Sequence, residues 1–174
     1  MMKSNSVELA GQMPVAYIKR MLGRVATGCL ILDQAVKYVV RTTMTPGQSI
    51  PVVPDVFHIT YVHNTGVAFS LFQQHPAWLL ALTSVLFTVF LMFAFRRPGY
   101  TALEFTGFAM VLGGAAGNIV DRILFGKVID YLDVTVIQYP VFNLADSFIC
   151  VGVALLLLHY WRGGHHDGGS HDTV

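Results

Sequence analysis

With 174 residues, the chain is sized for one domain. Hydrophobic residues make up 54% and charged residues only 12%, with a mean hydropathy of +0.58. A soluble domain carries about 25% charged residues, so composition excludes an ordinary water-soluble fold. The net charge of +1, with no basic stretch interleaved with aromatics, excludes a nucleic-acid partner.

In chain order, residues 1–16 read as a flexible leader, followed by a four-span membrane domain over residues 17–162. The first predicted span, 21–40, contains Arg24, Asp33, Gln34 and Lys37. It is too long, and too polar at its far end, for a cleavable signal peptide, so it is retained. The loop 42–75 contains "PDVFHITYVHNTGVAFSLF", in which Phe57, Ile59 and Tyr61 alternate with His58, Thr60 and Val62. That period of two predicts a small β element on the membrane face. Residues 77–95, "AWLLALTSVLFTVFLMFAF", hold no charge, Pro or Gly, and at about 1.5 Å per residue nearly cross a ~30 Å hydrocarbon core.

The third span, 102–120, carries "GGAAG", small residues that let a neighbouring helix approach closely. "GKVIDYLDV" offers another strand, and residues 141–161 form the fourth span. The Gly/His-rich tail 163–174 is expected to be disordered and solvated rather than metal-binding. Cys29 and Cys150 lie in apolar runs without metal-ligand spacing and are expected as unpaired buried thiols. Four spans put both termini on one side. That side would hold Lys3, Lys19, Arg20, Arg24, Arg96, Arg97 and Arg162, against Lys37, Arg41, Arg122 and Lys127 opposite, which predicts cytoplasmic termini.

Ionisable groups inside spans are costly and point to function. "DQAVK" sets Asp33 and Lys37 four residues apart on one helix face, either as a neutralising ion pair or as a substrate contact. "NTGVAFS" offers Asn64 to orient a carbonyl, with Gly66 and Ala68 leaving room for close backbone approach, or else an ordinary turn. "GNIVDR" closes the third span with Asn118, Asp121 and Arg122. The adjacent Asp121 and Arg122 need different partners, and Arg122 suits a carboxylate, a phosphate or a peptide carbonyl. In "VIDYLD", Asp130 is flanked by apolar residues and partly desolvated, whereas Asp133 is expected to face water. "FNLAD" brings Asn143 and Asp146, three apart, to the outer end of the fourth span.

The chemistry that fits is a carboxylate pair. Two such groups at a dry site cannot both ionise, so they share a proton. One activates water while the other polarises the scissile carbonyl, with no metal and no Ser or Cys nucleophile. Asp130 and Asp146 are the best pair, one on a loop and one on the facing helix.

In this order, "DQAVK", "NTGVAF", "GNIVDR", "VIDY" and "FNLAD" resemble the lipoprotein signal peptidases (signal peptidase II), over roughly residues 17–162. The resemblance implies a multi-pass aspartic endopeptidase of the bacterial inner membrane. It would cleave a signal peptide just before a diacylglyceryl-modified cysteine near the outer leaflet. It places catalysis on Asp130 and Asp146. Asp33, Lys37, Asn64, Gly66, Asn118, Asp121, Arg122, Asn143 and Ala145 match positions that bind substrate or support the site. No cofactor or metal is expected; the partners are prolipoproteins and membrane lipids, and the chain is expected to act as a monomer. The competing reading is a proton-coupled transporter with Asp33, Asp121, Asp130 and Asp146 as a relay, which would need acids through the midplane.

Overall fold

A computed structural model describes residues 14–66 and 76–164. Its elements are α1 (Val15–Thr43), β1 (Ser49–Val53), β2 (Phe57–Asn64), α2 (Pro76–Arg96), α3 (Ala102–Phe125), β3 (Val128–Asp133) and α4 (Leu144–Gly164). The chain is mostly helical, with one small antiparallel sheet in the order β1-β2-β3. Ala68, residues 1–13 and the tail beyond residue 164 lie outside the described residues.

Local sequence sets the helix ends. Thr101 and Glu104 form a reciprocal capping box at the start of α3. Gly126, at φ 69°, ends that helix in the left-handed conformation that glycine adopts without a Cβ penalty. α3 therefore runs past the expected boundary at 120, and Asp121 and Arg122 sit inside its last turns rather than terminating it. α4 starts later than expected, at Leu144. Phe142 is instead held extended, exchanging backbone hydrogen bonds with Leu132 at the end of β3. In α1 the hydroxyls of Thr42 and Thr43 bond back to carbonyls one turn earlier, and Met44 then turns extended.

Among the described residues, three helices are long and apolar enough to cross a membrane: Ala77–Arg96, Ala102–Phe125 and Leu144–Arg162. α1, with 29 residues, has the length. Its apolar character is diluted by Arg20, Arg24, Asp33 and Lys37.

Small residues on α3 bring its neighbours to contact distance. A Cβ on Gly113 would stand 2.5 Å from the Ala26 carbonyl oxygen of α1. One on Gly114 would overlap the Ala145 carbonyl oxygen of α4, and one on Gly117 the Asp33 carboxylate. Lipid supplies no hydrophobic drive between helices, so such close packing and polar contacts must hold them. α2 is attached more lightly: only 11% of its apolar stretch is buried, and it leans on α3 through Phe90 against Phe108, ring centroids 5.1 Å apart. Trp78, Leu86, Val89 and Leu157 face outward, as a lipid solvent permits. Cys150 is exposed rather than buried and Cys29 half-buried, a correction to the sequence expectation; both are free thiols.

The sheet sits at one end of the bundle. Tyr61, Ile129 and Tyr131 from β2 and β3 pack on Val40 of α1, forming a second small core. β2 and β3 pair antiparallel, with Val62 opposite Asp130 and Asn64 opposite Val128. That register sets Asn64 near Asp130 and turns both towards the first residues of α4.

Candidate active site

Two groups of carboxylates meet beneath the sheet. In the first, Lys37 Nζ lies 2.9 Å from Asp33 Oδ2, 3.0 Å from Asp121 Oδ2 and 3.0 Å from Asn118 Oδ1. A lysine ammonium has three donors, and here each has an acceptor. Asp33, Lys37 and Asp121 are each 0–1% exposed. The i,i+4 spacing on α1 delivers the first ion pair, and close packing at Gly117 delivers Asp121 from α3. The remaining acceptors are also used: Ala145 N–H donates to Asp33 Oδ1 (3.0 Å), and Ile129 N–H to Asp121 Oδ2 (3.1 Å). The cluster thus ties α1, α3, β3 and α4 together. Of the two sequence readings for Asp33 and Lys37, the structure displays the ion pair.

The second group is Asp130 and Asp146. Asp130 is 1% exposed on β3; Asp146 is half-buried in the first turn of α4. Asn143 serves both. Its Nδ2 donates to Asp130 Oδ1 at 2.7 Å, and its backbone N–H donates to Asp146 Oδ2 at 3.2 Å. Its Oδ1 accepts from the Asp146 N–H at 2.9 Å, so Asn143 and Asp146 form a reciprocal cap on α4. Asn143 therefore precedes the helix and caps it, rather than sharing a helical face with Asp146. Asn64 Nδ2 donates to Asp130 Oδ2 (2.8 Å), and Asn118 Nδ2 to Asp146 Oδ1 (2.7 Å). Asn143 Nδ2 also reaches Asn118 Oδ1 (3.1 Å), the oxygen bonded by Lys37. The two groups are one hydrogen-bonded network.

Electrostatics separate them. Among the described residues, neither Asp130 nor Asp146 has an ion-pair partner; their donors are neutral amides. Burial, then the charge of Asp146, pushes the Asp130 pKa up to about 6, against the opposing bonds from Asn64 and Asn143 and the more distant Lys37. No group of three or more His, Cys, Asp or Glu side chains among the described residues converges as a metal cage would.

Asp146 opens onto a cavity of about 590 Å³ between α2, α3 and α4. Leu86, Phe90 and Phe93 line one wall and Ile119 and Ile149 the other, with Asn118 and Arg122 beside the carboxylate. Arg122 donates to the Gly66 carbonyl (3.4 Å), and Gly66 N–H donates to Asn64 Oδ1 (2.9 Å). Asp121 and Arg122 thus serve different partners, as their adjacency requires.

Asp133 departs from the sequence expectation of a water-facing loop residue. It ends β3, is half-buried, and accepts from Thr60 Oγ1 at 2.6 Å. Two contributors escape a motif-by-motif reading. Gln34 Nε2 donates to Asp121 Oδ1 (2.9 Å) and the Gly117 carbonyl (3.1 Å). Tyr131 OH accepts from the Leu144 N–H (3.2 Å), pinning the start of α4. The available signal for Gln34 was an amide beside Asp33 within a span; for Tyr131 there was none beyond its adjacency to Asp130.

A transporter relay finds no support. Asp33, Asp121, Asp130 and Asp146 converge at the sheet end of the bundle. The one buried acid elsewhere among the described residues, Glu104, is paired with Arg97 at 2.5 Å.

Comparison with known proteins identifies the family. The family profile described as signal peptidase (SPase) II matches residues 25–162. A lipoprotein signal peptidase of Halothermothrix orenii is 41% identical over 133 residues, covering 76% of this chain and 90% of its own. One from Microcystis aeruginosa is 45% identical over 130 residues, covering 74% and 84%. One from Brevibacillus brevis is 38% identical over 140 residues, covering 80% and 94%. Among solved structures, a bacterial membrane enzyme determined in meso at 2.3 Å superposes with a TM-score of 0.77 at 27% identity, covering 88% of this chain and 94% of that one. Matched along most of its length by profile, sequence and structure, this chain belongs to the lipoprotein signal peptidase (signal peptidase II) family.

Proposed function

We propose that this chain is a membrane aspartic endopeptidase that removes signal peptides from diacylglyceryl-modified prolipoproteins, cutting just before the lipidated cysteine. The observation that carries the reading is the Asp130 and Asp146 pair, bridged by Asn143 and without an ion-pair partner among the described residues, with Asp146 lining an apolar cavity.

In this mechanism the pair holds one proton. The deeper Asp130, whose pKa is raised to about 6 by burial and then by the charge of Asp146, carries it. Asp146 takes a proton from water as the water oxygen bonds to the scissile carbonyl carbon. Asp130 donates its proton to the carbonyl oxygen, giving a neutral gem-diol. Asp146 then passes its proton to the departing amide nitrogen as the C–N bond breaks, and Asp130 recovers one from the diol. The amide donors on both carboxyls fix their orientation before substrate arrives. Arg122, which holds the Gly66 carbonyl, supports the turn that carries Asn64.

The signal helix would lie in the cavity between α2, α3 and α4. The lightly held α2 would let it enter from lipid. α1 would be the fourth span: its 29 residues reach about 43 Å. Its charged groups Asp33 and Lys37 are turned onto α3, and Ile31, Leu32 and Val39 face outward. Both termini would then be cytoplasmic in the bacterial inner membrane, with the acids near the outer leaflet. Both carboxylates come from one chain, so a monomer suffices.

The test is purified protein in one detergent or lipid mixture with a lipid-modified prolipoprotein and its unmodified form, comparing initial rates. A substrate already in the bilayer gains little from acyl burial. The lipid should therefore act by holding the scissile bond level with Asp130 and Asp146. The modified form is expected to be cleaved far faster. Equal rates would overturn the lipid-dependent reading and leave a general membrane protease.

A further inference from the structure

At the sheet end of the bundle, away from the cavity, a second set of charges is left without counter-ions. Arg41 lies in the last turn of α1 and Lys127 just beyond the Gly126 cap of α3. Neither forms an ion pair among the described residues, and residues 67–75 contain no Asp or Glu. The Arg41 guanidinium lies 4.6 Å from the centroid of the Phe125 ring and 5.7 Å from that of Tyr38. Lys127 Nζ lies 3.0 Å from His63 Nδ1, and His63 Nε2 lies 2.8 Å from Tyr61 OH. Burial, then the Lys127 charge, lowers the His63 pKa, so the ring is neutral and accepts from the ammonium. Lys127 keeps two further donors.

Basic residues at helix C-termini can instead be accounted for by the helix dipole. The geometry here is different. Arg41 stacks on aromatic faces, no hydrogen bond to a last-turn carbonyl being seen, and Lys127 turns to a side chain on the sheet. The surroundings match a bilayer interface: Ile123 and Leu124, in the same last turn of α3 as Phe125, are each 64% exposed, and Tyr38 is also exposed. Aromatic rings and snorkelling cations at the ends of apolar helices sit at headgroup depth.

We propose that Arg41 and Lys127, at the sheet end of α1 and α3, form a binding site for the phosphate of an anionic phospholipid of the surrounding bilayer. The acyl chains would lie along Tyr38, Ile123 and Leu124. A headgroup with net negative charge suits two cations that have no carboxylate within ion-pairing distance among the described residues, since charge-assisted bonds to a phosphate are the strong ones. The lipid would fasten the sheet, and with it Asn64, to the membrane. The site is independent of the peptidase reading, because it uses none of the residues of the carboxylate network.

The full-length protein, in phosphatidylcholine vesicles, would receive traces of photoactivatable phosphatidylglycerol or phosphatidylcholine. Crosslinks would then be mapped by digestion and mass spectrometry. Mapping separates this site from the basic residues at the other end of the bundle. Residues 38–43 and 123–127 should be labelled several-fold more by the phosphatidylglycerol probe. The excess should vanish in Arg41→Gln/Lys127→Gln and survive in Arg41→Lys/Lys127→Arg. Inorganic phosphate equimolar with the probe should leave labelling unchanged; loss of labelling would mark a free-phosphate site and overturn the lipid assignment. Equal labelling by the two probes, or an excess that persists in the double glutamine variant, would also overturn it.

Discussion

The two carboxylate groups beneath the sheet are built from the same residue type, within one hydrogen-bonded network, yet they are treated oppositely. Asp33 and Asp121 receive a lysine ammonium between them and spend their remaining oxygens on backbone and amide donors. Asp130 and Asp146 receive only amides, and Asp146 reaches the cavity. The first arrangement sets opposite charges against one another and fixes them in place, at the desolvation cost common to buried ion pairs. The second penalises full ionisation, and the Asp130 pKa is raised to about 6. Burial alone does not distinguish the two groups, since Asp121 and Asp130 are both buried; provision of a counter-charge does.

The largest expected effect tests the chemical half of that contrast. Asp130→Asn and Asp146→Asn should each lower kcat by about 10²–10⁴, the usual contribution of a positioned acid or base, because an amide keeps the size but cannot shuttle a proton. Near-normal turnover in either variant would remove that residue from the pair. Helical content by circular dichroism should be unchanged in both.

The structural half is broken by Lys37→Met. Removing the ammonium leaves Asp33 and Asp121 buried without compensation, and breaking such a pair costs about 3–5 kcal/mol of stability. Unfolding in detergent should show this, and adding Asp33→Asn should recover part of it. If Lys37→Met were as stable as the unaltered protein, the division between the two groups would fail.

A finer test concerns the proton. The Asp130 pKa is raised to about 6, so kcat/KM should fall as pH rises through about 6 and the shared proton is lost. Asn64 donates to Asp130 and favours the ionised form. Asn64→Ala should therefore raise that pKa and move the alkaline limb to higher pH. A bond to a charged group is worth about 1.5–3 kcal/mol, so the displacement should be about one to two pH units. A limb that stays in place, or moves down, would show that another group controls it.

The smallest effect should come from Asp133→Asn. Its carboxylate accepts from Thr60 at the edge of the sheet and takes no part in the network. The expected loss is about 1 kcal/mol of stability with unchanged kcat. A large loss of rate would mean that the wrong aspartate of "VIDYLD" has been placed in the pair.

The sequence by itself determined the solvent and most of the inventory. Long uncharged runs marked three helices, since lipid leaves a helix no other use for its outer face. Alternation from Phe57 onward marked β2, and carboxylates in an oily chain had to be clustered. "GGAAG" announced close approach, and Gly113, Gly114 and Gly117 indeed sit against Ala26, Ala145 and Asp33. Tertiary structure alone decided which acid receives which partner. The Lys37 ammonium, four residues from Asp33, also reaches Asp121, more than eighty positions away in sequence, only because α1 and α3 touch at Gly117. Asn143 could not be recognised as the bridge, because both its helix-capping role and its reach to Asp130 depend on where β3 ends and α4 begins. Periodicity is a property of one segment, whereas the allocation of counter-charge depends on segments brought together, and here that allocation separates the carboxylates given an ammonium from the pair given only amides.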